Sequence, residues 1–246
     1  MRPFFENNVL QQQPFKPMII VVDTTKAGSA SNTFVLPIIK ATSETVKIYW
    51  GDGTNSVGVN GDNTHVYAAS GIYTIKIESR LFGGIYFNNL GDKAKITKIA
   101  NYGQGVSRLN IGSFYGCSSL LSIDIGNIVS NGADASNQYR GCTALTTVPL
   151  FDLSKVTNAS YMFAYCPVTT VPLLNLSSCT NASNMFLGVT LTTQSYSDFL
   201  INLATLPLQS GVSFHGGNSK YNPTAAIARA YLISNFGWTI TDGGAA

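Results

Sequence analysis

Charge is scarce in this chain. Asp, Glu, Lys and Arg together make up 11% of its 246 residues, against roughly a quarter of an average soluble domain. The polar surface must then be carried by Ser, Thr, Asn, Gln and Gly, which makes it neutral and rich in hydrogen-bonding groups. A net charge of +3 with no Lys/Arg run gives no basic patch of the kind that supplies most nucleic-acid affinity, so no nucleic-acid partner is expected. Histidine is almost missing, with two residues, and the 12 acidic residues are thinly spread. Catalysis needs a nucleophile beside a base, paired carboxylates or clustered metal ligands. The expectation is therefore a protein that is not an enzyme and that takes no cofactor and no metal. Long apolar runs are absent from the N-terminal segment as well. Its one apolar stretch, Met18 to Val22, is too short for a secretory core or a membrane span, so neither export nor membrane insertion is expected.

What the chain does have is an internal repeat. Leu145 to Pro167 reads LTTVPLFDLSKVTNASYMFAYCP and Val168 to Thr190 reads VTTVPLLNLSSCTNASNMFLGVT, two copies of 23 residues each. That length falls within the ~20 to 29 residues of a coil in a leucine-rich solenoid. The coil aromatics Phe114, Tyr139, Phe163 and Phe186 are separated by steps of 25, 24 and 23, and three residues after the first three stand Cys117, Cys142 and Cys166. A cysteine at one place in successive repeats behaves as a core residue and not as part of a disulfide framework. Within a coil, Ala159, Met162, Phe163 and Cys166 are spaced i, i+3, i+4, i+7, as are Ala182, Met185, Phe186 and Val189. The spacing predicts one helix per coil, capped by Thr157 or Thr180. Helices packed roughly 8 to 10 Å apart would keep the three cysteines too far from one another to pair. Four short apolar stretches, 96–99, 121–125, 146–150 and 169–173, predict one parallel strand per coil.

Ahead of the repeats, residues 18–80 alternate short β-rich runs with turn signals: MIIVVDTT, TFVLPII, TVKIYW, then Trp50-Gly51-Asp52-Gly53, then Thr64-His65-Val66-Tyr67 and GIYTIKI. This rhythm predicts a β-sandwich. Residues 81–95 form a junction with one more strand, Gly84 to Asn88. After the repeats (96–194), residues 195–246 predict a cap. A helix Tyr196 to Leu206 is opened by Ser195-x-x-Asp198, a strand spans Val212 to Phe214, a second helix starts at Asn222-Pro223 and stops at Gly237, and Trp238 to Thr241 closes the chain. Residues 1–17 lack any periodicity. They predict an extended arm whose apolar side chains Phe4, Phe5, Val9, Leu10 and Phe15 lie on a neighbouring subunit.

WGDGT, a spacer, T-H-x-Y and G-x-Y-T-I-x-I resemble the polycystic-kidney-disease-type (PKD-like) immunoglobulin sandwich, with Trp50 standing where the usual form has Phe. The motif L-T-T-V-P-L-x-x-L-S-x-x-T-N-A-S-x-M-F-x-x-C resembles the BspA-type leucine-rich repeat. GNSKY through GWTITDGG resembles the cap that follows such repeats in bacterial surface proteins and phage structural proteins. The resemblance implies a mixed β and α/β fold: a PKD-like β-sandwich, then a short leucine-rich-repeat solenoid with a helical cap.

Few residues stand out as sites. Trp50, Asp52, His65 and Tyr67 are expected to be structural parts of the sandwich, with His65 bonded to backbone. A loop of His215, Asn218, Lys220 and Tyr221 is the candidate ligand contact. Asp52, Asn55, Asp62 and Asn63 are too few and too dispersed for calcium. The resulting expectation is a non-enzymatic structural or attachment protein of a phage virion, on the tail or as a capsid accessory. It would be a homo-oligomer or docked on other virion proteins, with a host surface glycan or protein as a further partner. A bacterial cell-surface adhesin is the alternative, and a glycan-processing enzyme the third reading.

Overall fold

The structure, a computed structural model, describes residues 16–40, 45–79, 82–103, 113–124 and 134–246. The arm residues Phe4, Phe5, Val9, Leu10 and Phe15 lie outside them. Among the described residues the chain is mostly sheet, with two α-helices.

Alternation builds the sandwich. In β1 (Met18–Asp23), β2 (Thr33–Lys40), β3 (Val46–Tyr49) and β6 (Ile72–Glu78), every second side chain points into the core. Ile20, Val22, Phe34, Leu36, Ile48, Ile75 and Ile77 are buried there, and each contributes about 1.5 to 3 kcal/mol by leaving water. Two more strands, β4 (Asn55–Gly58) and β5 (Gly61–Val66), precede β6, and β7 (Phe82–Ile85) follows it. One sheet has the order β5-β2-β7. The other begins β4-β3-β6-β1 and does not stop at the sandwich. It continues through β8 (Ile96–Asn101) and β9 (Ser122–Ile123), both expected as the first strands of the repeats. β8 lies antiparallel to β1, with Ile20 opposite Ile99, and parallel to β9, with Ile99 opposite Ile123. A single strand thus serves both regions, and one hydrophobic core runs from Met18 to Trp238.

The junction is fastened by a buried ion pair. Asp92 accepts hydrogen bonds from Ser29 N (2.6 Å), Ser29 Oγ (2.6 Å) and Val35 N (2.8 Å). Lys95, with no exposed side-chain surface, gives its ammonium to the carbonyls of Ser29, Ala30 and Thr33 and lies 3.7 Å from Asp92. Every proton of the cation and most lone pairs of the carboxylate are occupied, which is the condition under which burying two charges is tolerated.

Beyond the junction the chain forms a column of stacked turns, and here the helix expectation fails. No helix occurs at 159–166 or 182–189. Two residues per turn are left-handed: Asn137 and Gly141 (φ 56° and 70°), Tyr161 and Tyr165 (56° and 62°), Asn184 and Gly188 (56° and 75°). A right-handed helix cannot pass through such residues. The i, i+3, i+4, i+7 spacing instead reflects tight turns whose interior residues all face the core. Each turn bonds to the next by its backbone: Phe114 N to Gln138 O, Tyr139 N to Met162 O and Phe163 N to Met185 O, all between 2.9 and 3.0 Å. The register starts inside the junction, where Phe87 N bonds to Ser113 O.

The expected caps are also displaced by one residue. Asn158 and Asn181, not Thr157 and Thr180, accept the turn-opening bonds, from Ser160 N (3.1 Å) and Ser183 N (3.0 Å). A short amide side chain reaches backbone two residues on more readily than a threonine hydroxyl does. The predicted strands at 146–150 and 169–173 shrink to one parallel bridge, Thr147 to Thr170. Pro149 and Pro172 lack the N–H that would extend it.

At the end of the column, α1 (Thr193–Leu203) starts three residues before its predicted position. Thr192 is its cap, accepting from Ser195 N, because the Ser195 hydroxyl is committed to Val171 N (3.0 Å). Strand β10 (Ser213–His215) takes the place of a further turn, accepting from Ala182 N and Phe186 N. Asn222 caps α2 (Pro223–Phe236), Pro223 is its first residue, and Gly237 ends it at φ 65°. Trp238 is buried against Phe214, and β11 (Thr239–Thr241) pairs in parallel with β10.

Candidate interaction surface

Inside the column the aromatic residues form a ladder. Phe114, Tyr139, Phe163 and Phe186 are buried and stack with centroids 6.0, 5.7 and 5.8 Å apart and planes within 11° of parallel. Edge-on rings close both ends: Tyr102 on Phe114, and Phe199 and Phe214 on Phe186. The Tyr139 hydroxyl meets that of Tyr102, so the one polar rung brings its own partner. Alongside runs the cysteine file. Cys142 Sγ donates to Phe114 O and Cys166 Sγ to Tyr139 O, each one turn back. Cys117, Cys142, Cys166 and Cys179 are free thiols and buried. Burial pushes the Cys117 and Cys142 thiols well up, away from the reactive thiolate.

In the sandwich, the turn after β3 holds a side-chain cluster that the sequence reading did not assemble. His65 Nε2 lies 2.7 Å from Asp52 Oδ2, its ring stacks on Trp50 at 4.7 Å, and its edge meets Tyr67 at 4.5 Å. The expectation that His65 bonds to backbone is therefore corrected: its partner is a carboxylate. Trp50 follows β3 and His65 lies on β5 of the other sheet, so the cluster joins the two sheets at this turn. Tyr67 donates to Trp50 O (2.9 Å) and stacks on Tyr73. Gly51, at φ 90°, leaves no room for a side chain against the Thr74 carbonyl. Desolvation works to raise the Asp52 carboxyl, but the hydrogen bonds from Thr54 and His65 outweigh it and bring the group down to about 2. The carboxylate is fully committed to holding the turn.

In the terminal loop, backbone groups and the His215 ring are engaged within the chain. His215 Nδ1 accepts from Gly217 N (3.0 Å), and Gly217 is pressed against the carbonyls of Phe186 and Val189. Asn218 N bonds to Val189 O, and Tyr221 N to Gly244 O. Only Asn218 and Lys220 are exposed. The loop's backbone closes the column. Nearby, Asp242 accepts from Tyr196 Oη (2.9 Å) and Arg229 Nε (2.9 Å), a network that ties α1, α2 and the C-terminal segment together. Among the described residues no group of His, Cys, Asp and Glu could hold a metal ion, and no helix is long and apolar enough to cross a membrane.

A second aromatic file, on the outside of the column, went unnoticed in the sequence. The Arg140 guanidinium lies 5.1 Å from the ring centre of Tyr115, 4.7 Å from Tyr161 and 5.8 Å from Tyr165. Tyr165 is half exposed, and its ring lies where any side chain on Gly188 would stand. Both Tyr161 and Tyr165 are left-handed, at positions where the neighbouring turns place Asn137 and Asn184, or Gly141 and Gly188. A left-handed backbone costs an ordinary residue about 1 to 2 kcal/mol. The signal was present as Tyr161 and Tyr165 departing from Asn and Gly at matched positions, but a helical reading of those turns concealed it. A shallow groove of about 640 Å³ lies between the last turn and α1, lined by Val171, Leu173, Thr192, Asp198 and Asn202 among others.

No protein-family model, no curated protein and no solved structure matches the chain.

Proposed function

We propose that this chain is a non-enzymatic structural or attachment component on the outside of a phage virion. In this reading a PKD-like sandwich is followed by a short leucine-rich solenoid of the BspA type, and the two form a protein- or glycan-binding surface. The observation that carries it is the shared sheet. β8 belongs to the sandwich through β1 and to the column through β9, and the ion pair of Asp92 and Lys95 fastens the same joint. Such a joint resists bending, which suits a part that must transmit position from an assembly to a contact surface. The residues with chemical potential support the same reading. Asp52, His65, Asp242 and Arg229 are engaged in holding turns and the cap, and the thiols are buried. Low charge and an abundance of Asn, Ser, Thr and Tyr suit contact with carbohydrate or with neutral protein surface.

The test is localisation. Antibody raised against the recombinant chain should decorate purified phage particles, and mass spectrometry of those particles should contain its peptides at stoichiometric level. Recovery only in a bacterial envelope fraction would replace this reading with that of a surface adhesin. Glycan hydrolysis by the purified chain, lost on His65→Ala or His215→Ala, would replace it with an enzyme.

A further inference from the structure

We infer that the outer file of Tyr115, Arg140, Tyr161 and Tyr165 is a binding site for an acidic carbohydrate, a sugar bearing a carboxylate. The inference rests on the proposed role as a binding component and gives that role a place and a ligand class. Three observations converge on it. The first is conformational. Within one turn, both left-handed positions carry tyrosine, where the adjacent turns have Asn and Gly, residues that adopt this backbone readily. Strain accepted twice in one turn, with both rings brought to one guanidinium, points to a use beyond folding.

The second is electrostatic. Arg140 makes a hydrogen bond to Asn137 Oδ1 (3.2 Å) and has no carboxylate partner among the described residues. Arg229, in the cap, is by contrast paired with Asp242. A guanidinium placed among three rings and bonded through one Nη to Asn137 has further N–H donors with no acceptor among the described residues, and a guanidinium fork matches a carboxylate in two-point geometry. The third is chemical. The hydroxyls of the three tyrosines bond to no described residue, and the half-exposed Tyr165 offers a ring face. Sugar C–H faces stack on such rings while their hydroxyls bond to phenol and amide groups. A single-stranded nucleic acid would also stack, but it needs a basic groove along its backbone, which a chain of net charge +3 without a basic run does not offer.

The experiment is titration calorimetry on the full chain with sialyllactose and a hexuronate oligomer as acidic probes, lactose as the neutral control, and a single-stranded oligothymidylate. The acidic sugars should bind at least tenfold more tightly than lactose and than the oligonucleotide. Arg140→Gln should remove that preference, and Arg140→Lys should restore it only in part. Tyr165→Gly is the decisive variant, since it installs the residue that neighbouring turns use. It should lose acidic-sugar binding at least tenfold with an unchanged or higher melting temperature. Equal binding of lactose, tighter binding of the oligonucleotide, absence of binding to both acidic probes, or full affinity in Arg140→Gln would overturn the inference. So would a Tyr165→Gly protein that melts lower but binds normally, because the ring would then serve packing alone. Failure here leaves the particle localisation result standing, and hydrolysis of a bound acidic sugar would break the functional reading while leaving the site in place.

Discussion

The sandwich and the column of turns bury the same kinds of side chain but satisfy their backbones differently. In the sandwich, strands of four to eight residues pair along their length, as β1 does with β6 over six consecutive residues. In the column the bonds run between turns about 22 to 26 residues apart, a few per turn, and the chain reverses direction through left-handed residues. Sheet register can be shared among many weak contributions. The column depends on a few positions, above all the stacked aromatic ladder. That difference predicts where substitution is most damaging. Phe163→Ala should cost about 3 to 5 kcal/mol, because the ring is fully buried and stacks on rungs both above and below. Because the core is continuous, the loss should appear in one cooperative denaturation transition that includes the sandwich. Two separated transitions would show that the regions unfold apart.

The joint between the regions should rank next. Asp92→Asn puts an amide donor among Ser29 N, Ser29 Oγ and Val35 N and leaves the Lys95 ammonium without its counter-charge. Losing charge-assisted bonds of this kind costs about 1.5 to 3 kcal/mol each, so a loss of about 2 to 3 kcal/mol in urea denaturation is expected. A change below about 0.5 kcal/mol would mean that the joint is not held by this pair.

How much of this was legible differs between the two regions, for physical reasons. β-rich runs bounded by turn signals have one structural meaning, so MIIVVDTT, TFVLPII and the alternating GIYTIKI predict strands, and strands lie at Met18–Asp23, Thr33–Lys40 and Ile72–Glu78. Asn222-Pro223 and Gly237 marked α2 because cap, first-residue proline and left-handed stop are local chemistry. Periodicity of apolar residues in a 23-residue coil is ambiguous. Ala159, Met162, Phe163 and Cys166 face one way both in a helix and in a tight turn enclosed by a core. The repeat length and the aromatic register were correct, but the backbone conformation was not. Asp92 and Lys95 were unreadable, since 63 residues separate Asp92 from Ser29 and nothing in the local sequence marks a buried charge. Tyr161 and Tyr165 stand in the sequence as mismatches to Asn184 and Gly188 of the aligned copy, but the left-handed backbone that gives the mismatch its meaning is hidden by the helical spacing.

The left-handed turn can be tested against the helix directly at Asn184, which has φ 56°. In a helix, Ala would be better than Asn by a few tenths of a kcal/mol and Gly worse. In the left-handed turn the order reverses: Asn184→Gly should lie within about 0.5 kcal/mol of the parent and Asn184→Ala about 1 kcal/mol below the glycine variant. Denaturation midpoints of the two variants, measured side by side, decide it. An alanine variant more stable than the glycine variant would restore the helix.

The smallest effect contrasts two acidic residues that each hold a turn, Asp52 in the sandwich and Asp152 in the column. Both carboxyls titrate below their ordinary range: Asp52 at about 2, where bonds from Thr54 and His65 overcome desolvation, and Asp152 through the side chain and backbone of Ser154. A carboxyl whose folded value is depressed contributes stability that is present above its unfolded value near 4 and is lost as pH falls through the folded value. The melting temperature of the parent should therefore decline between about pH 4 and pH 2, and each Asp→Asn variant should decline less. At pH 7 the two variants should differ. Asp152 accepts from Ser154 N a bond that an amide oxygen can also accept, as Asn175 does from Ser177 N in the next turn, so Asp152→Asn should melt with the parent. Asp52 also faces His65 at 2.7 Å in a solvent-screened pair, and exposed pairs of this kind contribute about 0.2 to 1 kcal/mol. Asp52→Asn should lose that much at neutral pH, and His65→Gln should remove most of the difference between parent and Asp52→Asn. If Asp52→Asn and Asp152→Asn behave alike at pH 7, the histidine contributes only its ring contact with Trp50, and the carboxylate serves the turn alone.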